Sequence, residues 1–274
     1  MTSEKVAFTG VRQTLLVTLY GRALDSRSDH PVLGDRTAQD TVRRVAYDFT
    51  TFRMSGGEAA VVAMRGRQFD EWTAEFLAAH PDATVVHLGC GLDGRVFRIA
   101  PPPRVRWFDV DYPEVVDLRR RLYPESPGYR LIGSSVTDPG WLPEIPGDRP
   151  TLVVAEGLTM YLTDSSVETL VHRIANHFSV GGQIVFDAVS PLGIRAQRLN
   201  RILRTTGATL TWGLDDPHRL ESWDPRFTLL TELAVVDLPW IDRLPPRYRL
   251  ACRLMQLIPA LRKVGLLLRY QFSP

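Results

Sequence analysis

The sequence predicts an α/β protein built on one doubly wound, mostly parallel sheet of seven strands, with a helical preface and helical lid insertions. Three observations carry this prediction. From Thr84 onward, short apolar runs alternate with helical segments, the pattern of a parallel sheet covered on both faces. Within it, Val85-Val86-His87-Leu88-Gly89-Cys90-Gly91-Leu92-Asp93-Gly94 reads as a strand, a glycine turn and the start of a helix. Trp107-Phe108-Asp109-Val110-Asp111-Tyr112-Pro113 then supplies a second strand ending on an acid, about 20 residues beyond the turn. Glycines one residue apart let the backbone turn tightly and approach a ligand, and an acid at that distance suits a ribose diol. The pattern points to a nucleoside cofactor without saying which.

In chain order, residues 1–80 form a helical preface and lid, interrupted by a turn-rich stretch from Asp25 to Asp35 that contains His30-Pro31 and Leu33-Gly34. Residues 81–190 are read as the cofactor-binding core, with strands at Val85 to Leu88, Val105 to Val110, Arg130 to Ile132, Leu152 to Ala155 and Ile184 to Val189. Ser165-Ser166-Val167-Glu168 has capping-box spacing and opens an apolar-periodic run that stops at Gly181-Gly182. Residues 191–274 hold an Arg-rich helical insertion from Ser190-Pro191 to about Thr206 and then the last two strands, Phe227 to Val236 and Val264 to Phe272. Between those strands, Pro245 to Lys263 is a basic amphipathic stretch with Tyr248, Leu250, Leu254, Leu257, Ile258 and Leu261 at its apolar positions.

The bulk composition narrows the partners. A chain of 274 residues with 44% hydrophobic content can bury one α/β core with appended helices. A net charge of +2, from 33 basic and 31 acidic residues, offers no electrostatic footprint for nucleic acid or an acidic membrane. The expected partner is a small molecule. Cys90 and Cys252 have neither metal nor disulfide spacing. Met1 to Tyr20 lacks the apolar core of a secretory signal, and no span of about 18 apolar residues occurs, so a cytoplasmic protein is expected.

Two charged residues sharpen the cofactor question. Val61, Arg65, Phe69, Trp72 and Phe76 share one helix face, which sets Arg65 inside an apolar stripe, while Arg67 points to the opposite side. A guanidinium placed there requires an anion. Either a protein acid or snorkelling resolves it, or a cofactor carrying a free carboxylate does. Glu156 follows the fourth strand in Ala155-Glu156-Gly157-Leu158-Thr159-Met160-Tyr161-Leu162, at the sheet edge where α/β proteins bind ligands. It either meets a cofactor ammonium or caps the next helix.

With these motifs in order, the chain resembles the leucine carboxyl methyltransferase family, and within it the bacterial tetracenomycin-type polyketide O-methyltransferases. The resemblance runs from the His30-Pro31 turn through the final strand. It implies a Rossmann-like class I fold and S-adenosyl-L-methionine as cofactor. It further implies that Arg65 grips the cofactor carboxylate, that Gly89, Cys90 and Gly91 lie beside its methionine part, that Asp111 holds the ribose, and that Glu156 is the acid of the strand-four motif. Tyr161 corresponds to the tyrosine near the methyl-transfer pocket. Family members often carry Ala-Asp-Leu after strand three, the Asp holding the adenine amine. This chain has Ser134-Ser135-Val136, and Ser135 offers a weaker acceptor than a carboxylate.

The implied chemistry is O-methylation of a small polyketide-like or aromatic acid, with no metal and no covalent intermediate, in which alignment does most of the work. A carboxylate acceptor is ionised at neutral pH and needs no base, whereas a phenol with a pKa near 10 would use one. His87, inside the first strand, is expected to be buried and bonded to backbone, and His172 and His177 to lie on a solvated helix side. His30 and His218 are weak base candidates in turns that could fold over the pocket. Trp212, Trp223, Trp240 and Tyr248 read as packing rather than recognition, and Arg243, Arg247, Arg249 and Arg253 as a solvated face. Two alternatives remain open from the residues. Gly89-x-Gly91-x-x-Gly94 also satisfies a dinucleotide fingerprint, giving an NAD(P)-dependent oxidoreductase, and the Ser135 departure would suit a methyltransferase-like module that binds without turnover.

Overall fold

The computed structural model describes residues 4–6, 8–124 and 126–274. Seven strands form the main sheet: β1 (Thr84–Leu88), β2 (Arg106–Asp111), β3 (Tyr129–Gly133), β4 (Thr151–Ala155), β5 (Gly182–Val189), β6 (Phe227–Ala234) and β7 (Gly265–Phe272). Their spatial order is β3-β2-β1-β4-β5-β7-β6. The first five run parallel, and β7 inserts antiparallel between β5 and β6. Strand order reverses between β1 and β4, and a cleft at the carboxyl ends of the strands is expected at such a reversal. Every residue of β1 and β4 is buried, which is why these two read as unbroken apolar runs and not as alternating ones.

The preface folds as α1 (Thr14–Ser26), α2 (Arg36–Arg44) and α3 (Gly56–Ala79). The long α3 begins with a capping box in which the Ser55 side chain accepts from Glu58 N–H and Glu58 accepts from the Ser55 backbone. Its Phe69, Trp72 and Phe76 enter the main core. Helices α1 and α2 bury Leu16, Leu19 and Ala38 in a second cluster with Val115 and Leu118, so the preface is packed down and not appended. After β1 comes the short α4 (Arg95–Ile99), after β2 comes α5 (Pro113–Leu122), and after β4 comes α6 (Asp164–His177). The insertion holds α7 (Pro191–Ala196) and α8 (Arg201–Thr206), then α9 (Arg219–Trp223), α10 (Pro246–Gln256) and α11 (Pro259–Arg262) precede β7.

Two sequence expectations are corrected. Ser165 and Glu168 do not open α6; Thr163 does, its hydroxyl accepting from Ser166 N–H, because Asp164 already suits the first turn and its positive dipole end. Of the apolar positions assigned to the amphipathic stretch, Tyr248 packs inward as expected, but four others do not. Leu250, Leu254, Leu257 and Ile258 are exposed, and α10 packs on the core through Tyr248, Cys252 and Met255. Tyr248 fixes this choice: its hydroxyl lies 2.6 Å from Ser55 Oγ, and its ring covers Gly57 so closely that an added Cβ would sit 2.2 Å from it.

Gly182 opens β5 against β4, where a Cβ would fall 1.8 Å from the Thr151 carbonyl oxygen. Backbone cannot yield there as a side chain would. Gly182→Ala is therefore expected to cost about 2–3 kcal/mol, read as a lowered urea midpoint at unchanged slope.

Candidate active site

A cavity of about 300 Å³ lies at the strand-order reversal. A smaller one of about 90 Å³ shares Gly89, Asp111, Tyr112, Leu158 and Tyr161 with it and reaches Ser134, Ser135 and Val136. Arg65, Gly89, Cys90, Gly91, Asp111, Glu156 and Tyr161 all line the larger cavity. Ser135 and Val136 line the smaller. All nine residues singled out in the sequence thus border one continuous cleft. Val11, Thr14, Leu15 and Thr18 of the preface and Ile202 and Leu203 of the insertion form further walls of the larger cavity.

The turn after β1 is shaped by its glycines. Gly89 and Gly91 have φ of 61° and 50°, and an added Cβ on either would meet Leu158 or Leu15 at 3.0 Å. Gly91 N–H donates to Asp111 Oδ2 and Tyr112 N–H to Asp111 Oδ1, each at 2.7 Å, so the acid is held in place by the turn it faces. Burial pushes the Asp111 carboxyl above its ordinary range, against these two N–H donors. Burial also pushes the Cys90 thiol well up, so Cys90 acts as wall and backbone, not as a thiolate.

Arg119 of α5 clamps the same turn from below. Its fully buried guanidinium donates to the Gly91 and Asp93 carbonyls at 2.8 and 2.9 Å and bonds Asp109 and the Tyr129 hydroxyl. Sequence reasoning missed it. The signal was present, since Arg119 sits in an apolar stripe between Val115 and Leu122, as Arg65 does in α3.

Arg65 finds two protein acids, Glu156 in the cleft wall and Asp187 behind it. Its Nε donates to Glu156 at 2.9 Å and one Nη to Asp187 at 3.0 Å, while the other Nη takes part in neither bond. Glu156 also bonds Arg95 at 2.5 Å. Burial alone would raise the Glu156 carboxyl, but Arg65 and Arg95 overcome it and hold the acid below its ordinary range. Arg95 continues to Asp70 and Asp93, and Arg98 joins Asp70, Asp93 and Asp35 to the buried Arg22. Asp187, Arg95 and the rest of this network were not anticipated. An acid inside the apolar run Ile184-Val185-Phe186-Asp187-Ala188-Val189 was the available sign.

The other candidates are placed as follows. Tyr161 is half-buried, and burial raises its phenol despite a hydrogen bond to Thr14 and the nearby Arg65. Ser135 Oγ is 2.8 Å from Thr137 Oγ1. His87 is buried but does not bond backbone: its Nδ1 lies 3.4 Å from Asp109 and its Nε2 3.4 Å from Arg95, because charged side chains fill the space beneath β1. His172 and His177 are half-buried, His172 with 40% of its side chain exposed, and face Asp224 and the Ile145 carbonyl. His30 is exposed, His218 pairs with Glu221 at the surface, and neither lines the cleft. Trp212 is buried in the core with Trp223 beside it.

The cleft accommodates the implied cofactor: it runs from the half-buried Arg65 guanidinium, past a turn that only glycine fits, to a carboxylate at the end of β2, and on to a small apolar recess. This fold and site define an S-adenosylmethionine-dependent methyltransferase. Residues 15–128 match the model of the family described as leucine carboxyl methyltransferase. The chain is 46% identical to the tetracenomycin polyketide synthesis O-methyltransferase TcmP of Streptomyces glaucescens, over 98% of this chain and 99% of that one. It is 38% identical to the S-adenosyl-L-methionine-dependent methyltransferase dpfgK of Gibberella zeae, over 81% of each chain. A crystal structure of a candidate methyltransferase from Thermobifida fusca YX shares the fold, with a TM-score of 0.60 at 17% identity and coverage of 93% and 94%. The chain belongs to the leucine carboxyl methyltransferase family, and the oxidoreductase alternative falls with that membership.

Fully buried Arg95 neutralises Asp70, Asp93 and Glu156 together, so Arg95→Ala is expected to destabilise the fold by about 3–5 kcal/mol in urea titrations. Stability also depends on acid. Asp93, Asp109 and Glu156 are held below their ordinary values, so their contribution is complete above about pH 4 and is lost as pH falls through the lower folded values. Asp111 and Asp187, which are raised, act with opposite sign above that range and temper the gain. Unfolding free energy measured against pH should fall steeply below about pH 4.

Proposed function

We propose that this chain methylates a carboxylate oxygen of a small polyketide-like or aromatic acid, using S-adenosyl-L-methionine. The observation that carries the reading is the convergence of Arg65, the Gly89–Gly91 turn, Asp111 and Glu156 on a cleft whose remaining wall is largely apolar. Bound there, the cofactor supplies a methyl group activated by a sulfonium. Arg65 grips the amino-acid carboxylate with the Nη that its bonds to Glu156 and Asp187 leave over, and Glu156 accepts from the ammonium. Gly89, Cys90 and Gly91 give backbone room beside the methionine part, Asp111 accepts from the ribose, and Ser135 with Val136 borders the adenine.

The acceptor then meets Val11, Leu15, Val62, Met160, Ile202 and Leu203, with Thr14, Thr18 and Asn200 as hydrogen-bonding points. Tyr161 borders both cavities and, kept protonated by burial, donates a hydrogen bond to orient it. A carboxylate is favoured because the cleft acids are already engaged by Arg65, Arg95, Arg98 or backbone N–H groups, and His87 is wedged between Asp109 and Arg95. Catalysis rests on holding an ionised oxygen in line and excluding water. In this reading residues 1–80 and 191–274 shape the acceptor side, and 81–190 hold the cofactor.

Mass spectrometry of the protein with labelled cofactor and a panel of aromatic and aliphatic acids should give labelled methyl esters. Labelled phenol ethers, or no transfer to any acid, would refute the assignment. Arg65→Ala should weaken S-adenosylhomocysteine by about 10–100-fold in calorimetry, the loss of charge-assisted hydrogen bonds. Ser135→Asp, by restoring the stronger acceptor, should tighten it by about threefold to tenfold.

A further inference from the structure

Among the described residues, the buried network beneath the cleft contains four guanidiniums, Arg22, Arg65, Arg95 and Arg98, and five carboxylates, Asp35, Asp70, Asp93, Glu156 and Asp187. Fully ionised, it carries one negative charge in excess. The excess is not shared evenly. Asp35, Asp70 and Glu156 each meet two guanidiniums and Asp93 meets three, whereas Asp187 meets Arg65 alone. The other Asp187 oxygen accepts from Gly157 N–H at 2.6 Å. Asp187 is the end of the chain of ion pairs and the acid nearest to being unbalanced.

On the cofactor reading given above, we infer that Asp187, which reaches the cleft wall through Arg65 and Gly157, is a proton-accepting group that tells the sulfonium cofactor from its thioether product: it stays ionised while S-adenosylmethionine is bound and takes up a solvent proton while S-adenosylhomocysteine is bound. The two ligands share carboxylate, ammonium, ribose and adenine, and differ by one methyl group and one positive charge. Their common carboxylate draws on Arg65, the one cation that Asp187 has among the described residues. With the sulfonium present, the surplus negative charge of the network is answered; with the thioether it is not, and the least-paired acid is where a proton relieves it.

The surroundings of Asp187 support this. From α3 it faces Arg65, and from the loop after β4 it faces Glu156 and Gly157 N–H, with Tyr161 beyond. Its partner across β7 is Leu267, which brings no charge. Burial raises the Asp187 carboxyl above its ordinary range and the nearby Glu156 adds to this, while Arg65 opposes it. By linkage, a ligand whose complex has the higher carboxyl pKa gains affinity as pH falls, by at most about tenfold per pH unit for one group.

Titration calorimetry at pH 6.5 in buffers of different ionisation enthalpy tests the inference with the full chain and both ligands. S-adenosylhomocysteine should take up more protons on binding than S-adenosylmethionine, by up to about one per site, and Asp187→Asn should abolish the difference. Asparagine keeps an acceptor for Gly157 N–H. An infrared difference spectrum provides a readout on the unaltered protein: a protonated carboxyl band present with S-adenosylhomocysteine and missing with S-adenosylmethionine. Equal proton uptake and identical carboxyl bands for the two ligands, or a difference that survives Asp187→Asn, would overturn the role of Asp187 while leaving the cofactor assignment standing. Failure of both ligands to bind would overturn the cofactor assignment and this inference with it.

Discussion

Arg95 holds this molecule's functional end together. Its guanidinium is sealed from solvent, contacts acids from α3, from the turn after β1 and from the loop after β4, and has the Phe69 ring 5.7 Å away. Three elements that are remote in sequence are thereby fixed by one planar cation. The arrangement is costly in desolvation and is stable only because every acid has a partner and the geometry is forked. What it provides is placement: Glu156 is presented to the cleft at a fixed height relative to Arg65, and Asp93 is held beneath the glycine turn. Arg119 does the same for the turn's carbonyls and for Asp109. The cleft is less a hollow in a hydrophobic core than the open end of a charged lattice.

This lattice explains what could and could not be read from the residues. Strand positions were legible because burial on both faces leaves unbroken apolar runs punctuated by glycine and proline, a signal local to each segment. The expected Val85 to Leu88 differs from β1 only by Thr84, and the expected Leu152 to Ala155 from β4 only by Thr151. The cleft residues were legible because a charge in an apolar stripe is conspicuous. The partners were not: Asp70 and Arg95 are 25 positions apart, Arg95 and Glu156 are 61, and Arg65 and Asp187 are 122. No periodicity encodes such pairings. The alternatives left open for Arg65, a protein acid or a cofactor carboxylate, are also not exclusive, since the bonds to Glu156 and Asp187 use Nε and only one of its two Nη groups.

The outward-facing leucines of α10 have a different cause. Tyr248, Cys252 and Met255 have the same four-then-three spacing as Leu250, Leu254 and Leu257, so the pattern permits either side to face inward. Leucine is the more hydrophobic choice and would be taken first on transfer energies. The tyrosine prevails because its ring fills the space over Gly57 and its hydroxyl finds Ser55. Shape complementarity at one glycine outweighs the greater apolarity of the other face. A similar competition decided the start of α6, where Thr163 precedes the residues whose spacing resembles a cap.

Leu15 in α1 occupies the space that a side chain at Gly91 would need, so the roof and the floor of the cleft meet closely at this point. Anything larger than a hydrogen atom at that point of the floor would lift the roof. Conversely, the roof is built from α1 and the insertion, and of its lining residues only Arg22 belongs to the charged lattice below. Away from Arg22, its shape can therefore be varied, widened or narrowed for differently sized guests without disturbing the ion pairs beneath the cleft, and that separation is what would let one scaffold serve many acceptors.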